Sequence, residues 1–483
     1  MKILKYSTLA FAIALSSCGK GFLEIDPIGQ VGKEQVFADL NGISAALTGS
    51  YNLTAMFFHH QYGIYGDLRA DDVERVGSTG TATMVNEYNY LYNEEDATGA
   101  TLNIWANGYE ALNNINNVIA GVPNLKANFP AQSTALAQIE GEAHMLRALI
   151  FFALSNVYAQ HYTYTADASH LGIPIPLQTP APGVKIARAT MKDTYAQIIR
   201  DLEKGISSLS SVNKGAIYAS SDAAKGLLSR VYLYMGDYDN AIKYASEIIT
   251  ENKHPLASAA NYKAMFTGDN QFSDFGSINS EVLWQFNVFA ISNGYISSFY
   301  GSNTAYQAIA KKSFVDMFES TDVRKSMIET SGATPTYRIL KNSLNPGTSE
   351  AKWPVNFKVI RSAEVILNRA EAYFHKQQYN LAVEDLKTIQ ARALNTTVDN
   401  ITISYTTPTE LLTLIKNERR KELAFESHRI YDILRYKENL DRGNGCNSSV
   451  CSITYPNDIF IMPIPQRELD ANDLIIPNPT VNN

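Results

Sequence analysis

Two stretches of the chain carry the same helical pattern, and this repetition constrains the fold more than any other feature. Residues 222–251 and 363–394 each contain two amphipathic segments joined by a short turn, which falls at Gly236 and Asp237 in the first stretch. A constant offset of 141 residues matches Ser229 with Ala370, Tyr232 with Tyr373, Tyr238 with Tyr379 and Ala241 with Ala382. Small and aromatic residues at these spacings are typical of tetratricopeptide helix pairs. Two unrelated helical hairpins are the alternative.

Helical periodicity also covers much of the remaining chain and predicts helices over residues 101–121, 136–160, 190–209 and 408–438. Strand-like alternation is sparse, and residues 282–288 are its best example. Long segments rich in Gly, Asn, Ser and Tyr separate the helical blocks, at residues 60–100, 254–310 and 328–358. Such segments are unusual in a compact domain unless they carry function. We therefore predict a mostly α fold, in which tetratricopeptide-like helix pairs form a scaffold with long irregular loops and few short strands.

The amino terminus has the pattern of a bacterial lipoprotein signal. Lys2 and Lys5 precede an apolar run over residues 9–15, and Cys18 follows the small residues Ser16 and Ser17. The run is too short to span a bilayer. We expect residues 1–17 to be a signal peptide, and Cys18 to be lipidated and to anchor the protein to a membrane. An ordinary secretory signal or a buried cysteine is the alternative.

Charge and motifs argue against nucleic-acid binding and catalysis. The net charge is −7 and no basic stripe is present, so a nucleic-acid partner is not expected. The sequence lacks a phosphate-binding glycine loop, a serine nucleophile elbow and a His-Glu-x-x-His zinc motif. For the adjacent pair His59 and His60, a surface or loop role is favoured over a metal-ligand role. We therefore expect no cofactor, no metal site and no catalytic residue.

Cys446 and Cys451 lie in a segment rich in Gly, Asn and Ser, which can bring two nearby cysteines together. An exported protein meets an oxidising compartment, where a disulfide is permitted. A zinc site is the alternative, but zinc needs four ligands and no His lies near this pair. We predict a Cys446–Cys451 disulfide that closes a loop outside the core.

The densest charged cluster is expected to be structural. It contains Glu418, Arg419, Glu422, Glu426, Arg429, Asp432 and Arg435, at spacings that pair residues along one helix. A catalytic pair of carboxylates, as in glycosidases, is the alternative. The interleaved arginines argue against it, because an arginine beside a carboxylate lowers its pKa and makes it a poor general acid. Arg361, Glu364, Arg369 and Glu371 are expected to tie helices together in the same way.

Tyrosine is unusually abundant, with 28 Tyr against 20 Phe and 3 Trp, and several tyrosines fall in the long loops. Tyr88, Tyr90 and Tyr92 would share one face if the chain there were extended. Rings that stack on a sugar, together with hydrogen-bonding side chains, would form a glycan site. Trp284 also fits a core position, and the acidic residues also fit loop-fixing roles. The candidate ligand residues are Tyr65, Asp67, Arg69, Asp72, Tyr88, Tyr90, Tyr92, Trp284, Tyr295, Tyr300 and Tyr306.

Motifs in a fixed order along the chain resemble the SusD/RagB family of outer-membrane nutrient-binding lipoproteins. They lie at residues 22–27, 63–73, 113–119, 141–152, 361–373, 418–435 and 460–465. The chain departs from the family pattern at Ser362, where an aromatic residue is common, and at Ser427, where a glycine is common. Neither departure weakens the resemblance.

The resemblance implies a mostly helical, SusD-like protein that binds its ligand without catalysis. It implies an outer-membrane location, a lipid anchor facing the cell surface, and a SusC-like TonB-dependent transporter as partner. Oligosaccharides are the expected ligands; a peptide-binding member of the family, or a tetratricopeptide-type protein-binding scaffold, is the alternative. Residues 18–212 and 213–483 are expected to form amino- and carboxy-terminal parts of one intertwined globular body.

Overall fold

The fold is described from a computed structural model of the chain. The structure describes residues 32–76, 83–91, 99–209, 214–266, 281–287, 295–301, 306–332, 335–342 and 356–479. Cys18 and Tyr92, two of the predicted functional residues, lie outside the described residues. In the part that is described, no helix combines the length and the apolar character needed to cross a membrane.

Helices dominate the described residues. They are α1 Lys33–Val36, α2 Leu40–His59, α3 Tyr62–Leu68, α4 Val85–Asn89, α5 Ala100–Asn128, α6 Ser133–Tyr158, α7 Met191–Leu209, α8 Ser221–Met235, α9 Tyr238–Glu251, α10 Ala259–Met265, α11 Tyr295–Tyr300, α12 Lys312–Val315, α13 Ser362–His375, α14 Tyr379–Ala393, α15 Pro408–Glu422, α16 Arg429–Arg435 and α17 Gln466–Ala471. Helices α5, α6 and α7 confirm three of the predicted long helices. The prediction of one helix over residues 408–438 is wrong, because Phe425 and Ser427 have positive φ angles of 63° and 64°, which end the helical path between α15 and α16.

The two predicted helix pairs are present as α8–α9 and α13–α14, and they lie side by side because α9 packs against α13. Their turns are equivalent, with a positive φ at Gly236 and at Gln377, which is 141 residues later. The amide of Asn368 on α13 donates to the hydroxyl of Ser229 on α8 at 3.0 Å. Gly226 allows α8 to approach Ile360 closely, since a Cβ at residue 226 would lie 3.0 Å from the Ile360 side chain.

The strands are short. They are β1 Val73–Arg75, β2 Leu171–Pro174, β3 Arg188–Thr190, β4 Val282–Phe286, β5 Ala308–Ala310, β6 Ile328–Ser331, β7 Thr336–Ile339, β8 Phe357–Arg361, β9 Leu440–Asp441 and β10 Ser452–Ile453. A four-stranded antiparallel sheet has the order β1-β5-β7-β6, and three antiparallel pairs join β4 to β8, β2 to β3 and β9 to β10. Strand β4 confirms the predicted strand near residue 282.

A buried layer of ion pairs joins α15 and α16 to the rest of the fold. Arg361 contacts Glu281 at 2.7 Å, Glu422 at 2.5 Å and Glu426 at 2.7 Å. The layer also contains Arg324–Glu418, Arg392–Glu422, Arg419–Asp432 and Arg435–Glu371. The predicted structural network is therefore confirmed, but the prediction that its pairs follow one helix is wrong. Most partners come from different elements, because the chain turns between Glu422 and Arg429.

The electrostatics of this layer do not favour acid catalysis. Burial by itself would raise the pKa of Glu426, but the charges of Arg361 and Lys341 lower it to about 2. The pKa of Glu418 is also lowered: burial opposes this shift, and the charges of Arg324 and Lys421 outweigh burial. A general acid needs a pKa near the working pH, so these carboxylates are suited to ion pairing.

Candidate functional site

Two of the three long segments between the helical blocks, residues 60–100 and 254–310, are joined by strand pairing. Strand β1 pairs with β5 in an antiparallel register that places Glu74 opposite Ile309. Gln307 extends this junction, because its carbonyl accepts from Val76 N at 3.0 Å, and its side-chain oxygen accepts from both Thr83 N and Thr83 Oγ1 at 3.0 Å. Residues before and after the segment 77–82 are thus joined to the segment around residue 307.

His60 and Tyr295 form a stacked pair at this junction, with ring centroids 4.2 Å apart and an interplanar angle of 31°. Helix α2 ends at His59 and α3 begins at Tyr62, so His60 lies in the bend between them. Gly63 permits the close approach of α11, since a Cβ there would lie 2.4 Å from Ile296 Cδ1. Both rings of the stacked pair are half-buried and keep part of their surface exposed.

The stacked pair is uncharged at neutral pH. Burial lowers the pKa of His60, so its imidazole is neutral and offers one donor and one acceptor. Burial raises the pKa of Tyr295, with polar contacts from Thr83 and Gln61 partly opposing the shift. A neutral imidazole, a phenol, a hydroxyl and two side-chain amides therefore meet at one place. We call this group the candidate site; it consists of His60, Gln61, Thr83, Tyr295, Tyr306 and Gln307.

Charged residues border the candidate site. The guanidinium of Arg338 lies 5.8 Å from the centre of the Tyr306 ring. Arg338 also pairs with the partly exposed Glu329 at 2.7 Å. Arg75 donates to the carbonyl of Thr83 at 3.3 Å. Arg338 and Arg75 thus lie next to different members of the candidate site, Tyr306 and Thr83.

The predicted exposed row of rings at Tyr88 and Tyr90 is wrong. Residues 83–91, which we call the tyrosine turn, contain the short helix α4, and both rings are buried. The hydroxyl of Tyr88 donates to Asn447 Oδ1 and that of Tyr90 donates to the carbonyl of Arg69, both at 2.5 Å. Arg442 lies 4.3 Å from the Tyr88 ring and 5.3 Å from the Tyr90 ring. These tyrosines hold the turn in place.

Tyr65, Asp67, Arg69 and Asp72 are also buried, and the loop-fixing alternative describes them better than ligand binding does. Asp67 accepts from Ser427 N at 2.7 Å, and burial raises the pKa of its carboxyl to about 8 although that bond lowers it. The guanidinium of Arg69 lies 5.0 Å from the Tyr65 ring and donates to the carbonyl of Ile459 at 2.7 Å. Asp72 accepts from Arg420 at 2.7 Å.

Trp284 and Tyr300 are core residues, with 0% and 1% of their surfaces exposed. Trp284 lies in β4, which β8 covers along its length, and its ring packs against Phe286 at 5.3 Å. Tyr300 packs against Phe425 at 6.1 Å. Among the predicted ligand residues that the structure describes, Tyr295 and Tyr306 are those that keep partial exposure.

Sequence reasoning missed His60, Gln61, Thr83, Gln307 and Arg338 as site residues. His60 was visible only as half of an adjacent histidine pair, for which a surface or loop role is favoured. His60 does lie in the bend between α2 and α3, but the expectation is wrong for His59, which ends α2 and is buried. The amides and the hydroxyl carry no pattern that distinguishes them from other polar loop residues. Their convergence depends on strand pairing between β1 and β5, which the sequence pattern does not predict.

Cys446 and Cys451 are joined by a disulfide, with a Cα–Cα distance of 5.9 Å, as the sequence predicts. Residues 442–451, which we call the disulfide loop, lie against the tyrosine turn: Ser448 Oγ donates to the carbonyl of Tyr88 at 3.0 Å. Within the described residues, no group of three or more His, Cys, Asp or Glu side chains could hold a metal ion.

An interior cavity of ≈ 30 Å³ lies among Phe58, Tyr62, Phe357, Lys358 and Tyr431. It has room for about one or two water molecules. Burial lowers the pKa of Lys358 to about 7, and its ammonium donates to the carbonyl of Asn356 at 2.9 Å. The cavity is too small for an oligosaccharide or a peptide.

Comparison with known proteins assigns the family. Residues 53–233 match a family of SusD-like proteins described as starch-binding and associating with the outer membrane, and residues 320–480 match the SusD family. The chain belongs to the SusD/RagB family. The SusD-like protein P2 of Formosa agariphila is 23% identical to it, over 98% of this chain and 99% of the relative.

Solved SusD structures share the fold. A SusD superfamily protein from Bacteroides thetaiotaomicron has a TM-score of 0.81 and 27% identity, covering 92% of this chain and 100% of that one. A SusD-like carbohydrate binding protein from Bacteroides vulgatus has a TM-score of 0.74 and 20% identity, covering 90% and 97%. At 20% identity the second likeness shows the fold alone. The predicted mostly helical, SusD-like fold is confirmed.

Proposed function

We propose that this protein is a surface-exposed lipoprotein that captures an oligosaccharide and delivers it, uncleaved, to a SusC-like TonB-dependent transporter of the outer membrane. Its family supports this proposal, because one matching family is described as starch-binding and associating with the outer membrane. Members of the SusD family are binding proteins rather than enzymes. Lipidation at Cys18 would hold the protein at the membrane.

The observation that carries the glycan proposal is the composition of the candidate site. Tyr295 and Tyr306 are partly exposed residues, and so are Thr83 and Gln307, which are hydrogen-bonded to each other, whereas Gln61 is buried. A sugar ring has an apolar face that packs on an aromatic ring and hydroxyls that bond to amides. Of the charged groups near the site, Arg338 is paired with Glu329, and Arg75 donates to the carbonyl of Thr83. Binding through ring contact and neutral hydrogen bonds follows.

Calorimetry against a panel of purified oligosaccharides, with starch-type glucans included, tests the proposal directly. We expect dissociation constants in the micromolar to millimolar range, which is about −8 to −4 kcal/mol. Tyr295→Ala and Tyr306→Ala should each weaken binding about two- to tenfold, because one ring contact contributes roughly 0.5–1.5 kcal/mol.

Tyr164→Ala is the matched control. Tyr164 is 36% exposed and packs against His161 and His170, outside the candidate site, so its removal should leave glycan affinity unchanged. Equal losses in all three variants would contradict the assignment of the site. Binding of peptides but of no glycan would transfer the protein to the peptide-binding alternative, and hydrolysis of any glycan by pure protein would refute the non-enzymatic role.

Location and partnership need separate tests. Protease treatment of intact cells should cleave the protein if it faces the outside, and cleavage only after lysis would contradict the surface location.

Affinity purification from solubilised outer membranes should recover a TonB-dependent transporter as the main partner. Its absence under conditions that preserve other membrane complexes would count against delivery to such a transporter.

A further inference from the structure

The disulfide loop contacts both the end of β1 and the tyrosine turn. Asn447 Nδ2 donates to the carbonyl of Arg75 at 2.7 Å, and Asn447 Oδ1 accepts from the hydroxyl of Tyr88 at 2.5 Å. Arg75 precedes residues 77–82, and Tyr88 follows them in the tyrosine turn. A single side-chain amide therefore ties together the two stems of this segment.

Further bonds hold the tyrosine turn against the disulfide loop. Ser449 N donates to Asn89 Oδ1 at 2.9 Å, and Ser448 Oγ donates to the carbonyl of Tyr88 at 3.0 Å. Arg442 begins the loop and is buried, and it donates to the carbonyls of Tyr88 at 2.7 Å and Ala70 at 3.1 Å. The Arg442 guanidinium thus holds the start of the disulfide loop against the tyrosine turn, and Asn447 holds the part of the loop between the two cysteines against it.

The tyrosine turn in turn supports the candidate site. It begins at Thr83, whose backbone and side chain both donate to Gln307, and Thr83 lies beside Tyr295. A shift of the turn would therefore move Thr83 relative to the stacked pair. Because ligand binding depends on several groups held at fixed separations, such a shift would weaken binding without removing any contact residue.

The disulfide is what keeps Asn447 in this bridging position. The residues between the two cysteines are Asn447, Ser448, Ser449 and Val450, of which Asn447 and Ser449 are exposed, so this stretch has little apolar surface to bury. An open chain of this composition would lose much conformational freedom on taking up one geometry. Closing the loop between Cys446 and Cys451 removes part of that freedom in advance.

We propose that the disulfide loop is a clamp that positions the tyrosine turn for ligand binding, with Asn447 and the Cys446–Cys451 bond as positioning groups that do not touch the ligand. The inference rests on the proposed function for its effect on affinity. The clamping itself is independent of any ligand, so the two parts can be tested separately.

Two variants remove the clamp in different ways. Asn447→Asp keeps the acceptor for Tyr88 but places an oxygen against the Arg75 carbonyl, and Cys446→Ser combined with Cys451→Ser opens the loop. In both we expect amide exchange in residues 83–91, where Tyr88 N, Tyr90 N and Leu91 N are hydrogen-bonded, to accelerate about tenfold or more. Glycan affinity should fall about tenfold, and the melting temperature should change by no more than about 2 °C, because the core is untouched.

Asn444→Ala is the matched control, since Asn444 is an exposed asparagine in the same loop that takes no part in these bonds. It should change neither exchange nor affinity. Unchanged exchange in both clamp variants would overturn the clamp, and accelerated exchange with unchanged affinity would overturn its role in binding. If the native protein binds no glycan, the proposed function fails on that result, and the exchange measurement still decides the clamp.

Discussion

Arg361 donates two parallel hydrogen bonds to Glu426, from Nε to Oε2 at 2.9 Å and from Nη2 to Oε1 at 2.7 Å. Glu426 lies in the turn between α15 and α16, and Arg361 ends β8. Both side chains are buried, so this bidentate pair fixes the turn to the sheet.

Glu426→Ala should lower the free energy of unfolding by about 3–5 kcal/mol, because it leaves Arg361 and Lys341 buried with one fewer anion. Glycan affinity per folded molecule should stay nearly unchanged, since Glu426 is not in the candidate site. Asp316→Ala is the control: it breaks an exposed pair with Lys312, which solvent screens, and should leave the free energy of unfolding nearly unchanged. Chemical denaturation checks both values, and lost binding with unchanged stability would reverse the assignment.

Acid should unfold the protein through the same carboxylates. The pKa of Glu426 falls from its usual value of 4.5 to about 2 in the folded state, so its stabilising contribution is complete above about pH 4.5 and is lost as the pH falls towards 2. Glu364 and Glu371 have lowered pKa values for the same reason: arginine charges outweigh the opposing effect of burial. Denaturation at successive pH values should show stability falling below pH 4.5, with a shallower slope in Glu426→Gln.

Ser427 has a positive φ of 64°, a backbone conformation that favours glycine, and its side chain compensates. Its hydroxyl accepts from Gly66 N at 2.9 Å and donates to the carbonyl of Tyr62 at 3.0 Å. Ser427→Gly should be nearly neutral, because relief of about 1 kcal/mol of backbone strain offsets the lost bonds. Ser427→Ala should be clearly less stable, since it keeps the strain and loses both bonds. Equal stability of these two variants, measured by thermal unfolding, would contradict this account.

Tyr300→Ala should lower stability rather than ligand affinity. Tyr300 is 1% exposed, so its truncation leaves a cavity and should cost about 3–5 kcal/mol. Tyr300→Phe keeps the ring and loses only a 3.4 Å contact from the hydroxyl to Asp67, so it should cost about 1 kcal/mol or less. Calorimetric titration of the folded fraction would show whether Tyr300 contributes to binding as well.

Cys18→Ala should release the protein from the membrane fraction. The amino-terminal pattern predicts acylation at this residue, and acyl chains would supply the anchoring energy. Fractionation of cells that express the native protein and the variant gives the answer. Membrane retention of the variant, with its transporter partner absent, would show that another part of the chain holds it there.

The helix pairs are predictable from sequence because their evidence is local. Tyr232 and Tyr373 repeat within the same periodic pattern, and helix formation needs no distant partner to be recognised. The burial of Tyr88 is not predictable in this way, because its hydroxyl bonds to Asn447, 359 positions along the chain. The sequence of a tyrosine-rich loop does not show whether a distant segment buries that loop.

The same limit explains why the candidate site is only partly predicted. Tyr295 and Tyr306 stand out as aromatic residues in polar loops, and they keep partial exposure in the structure. Gln307 joins β1 to the tyrosine turn through its carbonyl and its side chain, a role that depends on strand pairing rather than on its neighbours in sequence.

Asp67, Arg69 and Tyr88 form hydrogen bonds with Ser427, Ile459 and Asn447, which are synthesised more than 350 residues later. The amino-terminal segment cannot complete its native contacts until almost the whole chain has left the ribosome. Until then, the residues that bury Asp67, Arg69 and the surrounding aromatic rings in the native structure are missing. The nascent protein should therefore depend on a holding chaperone until its carboxy-terminal residues emerge.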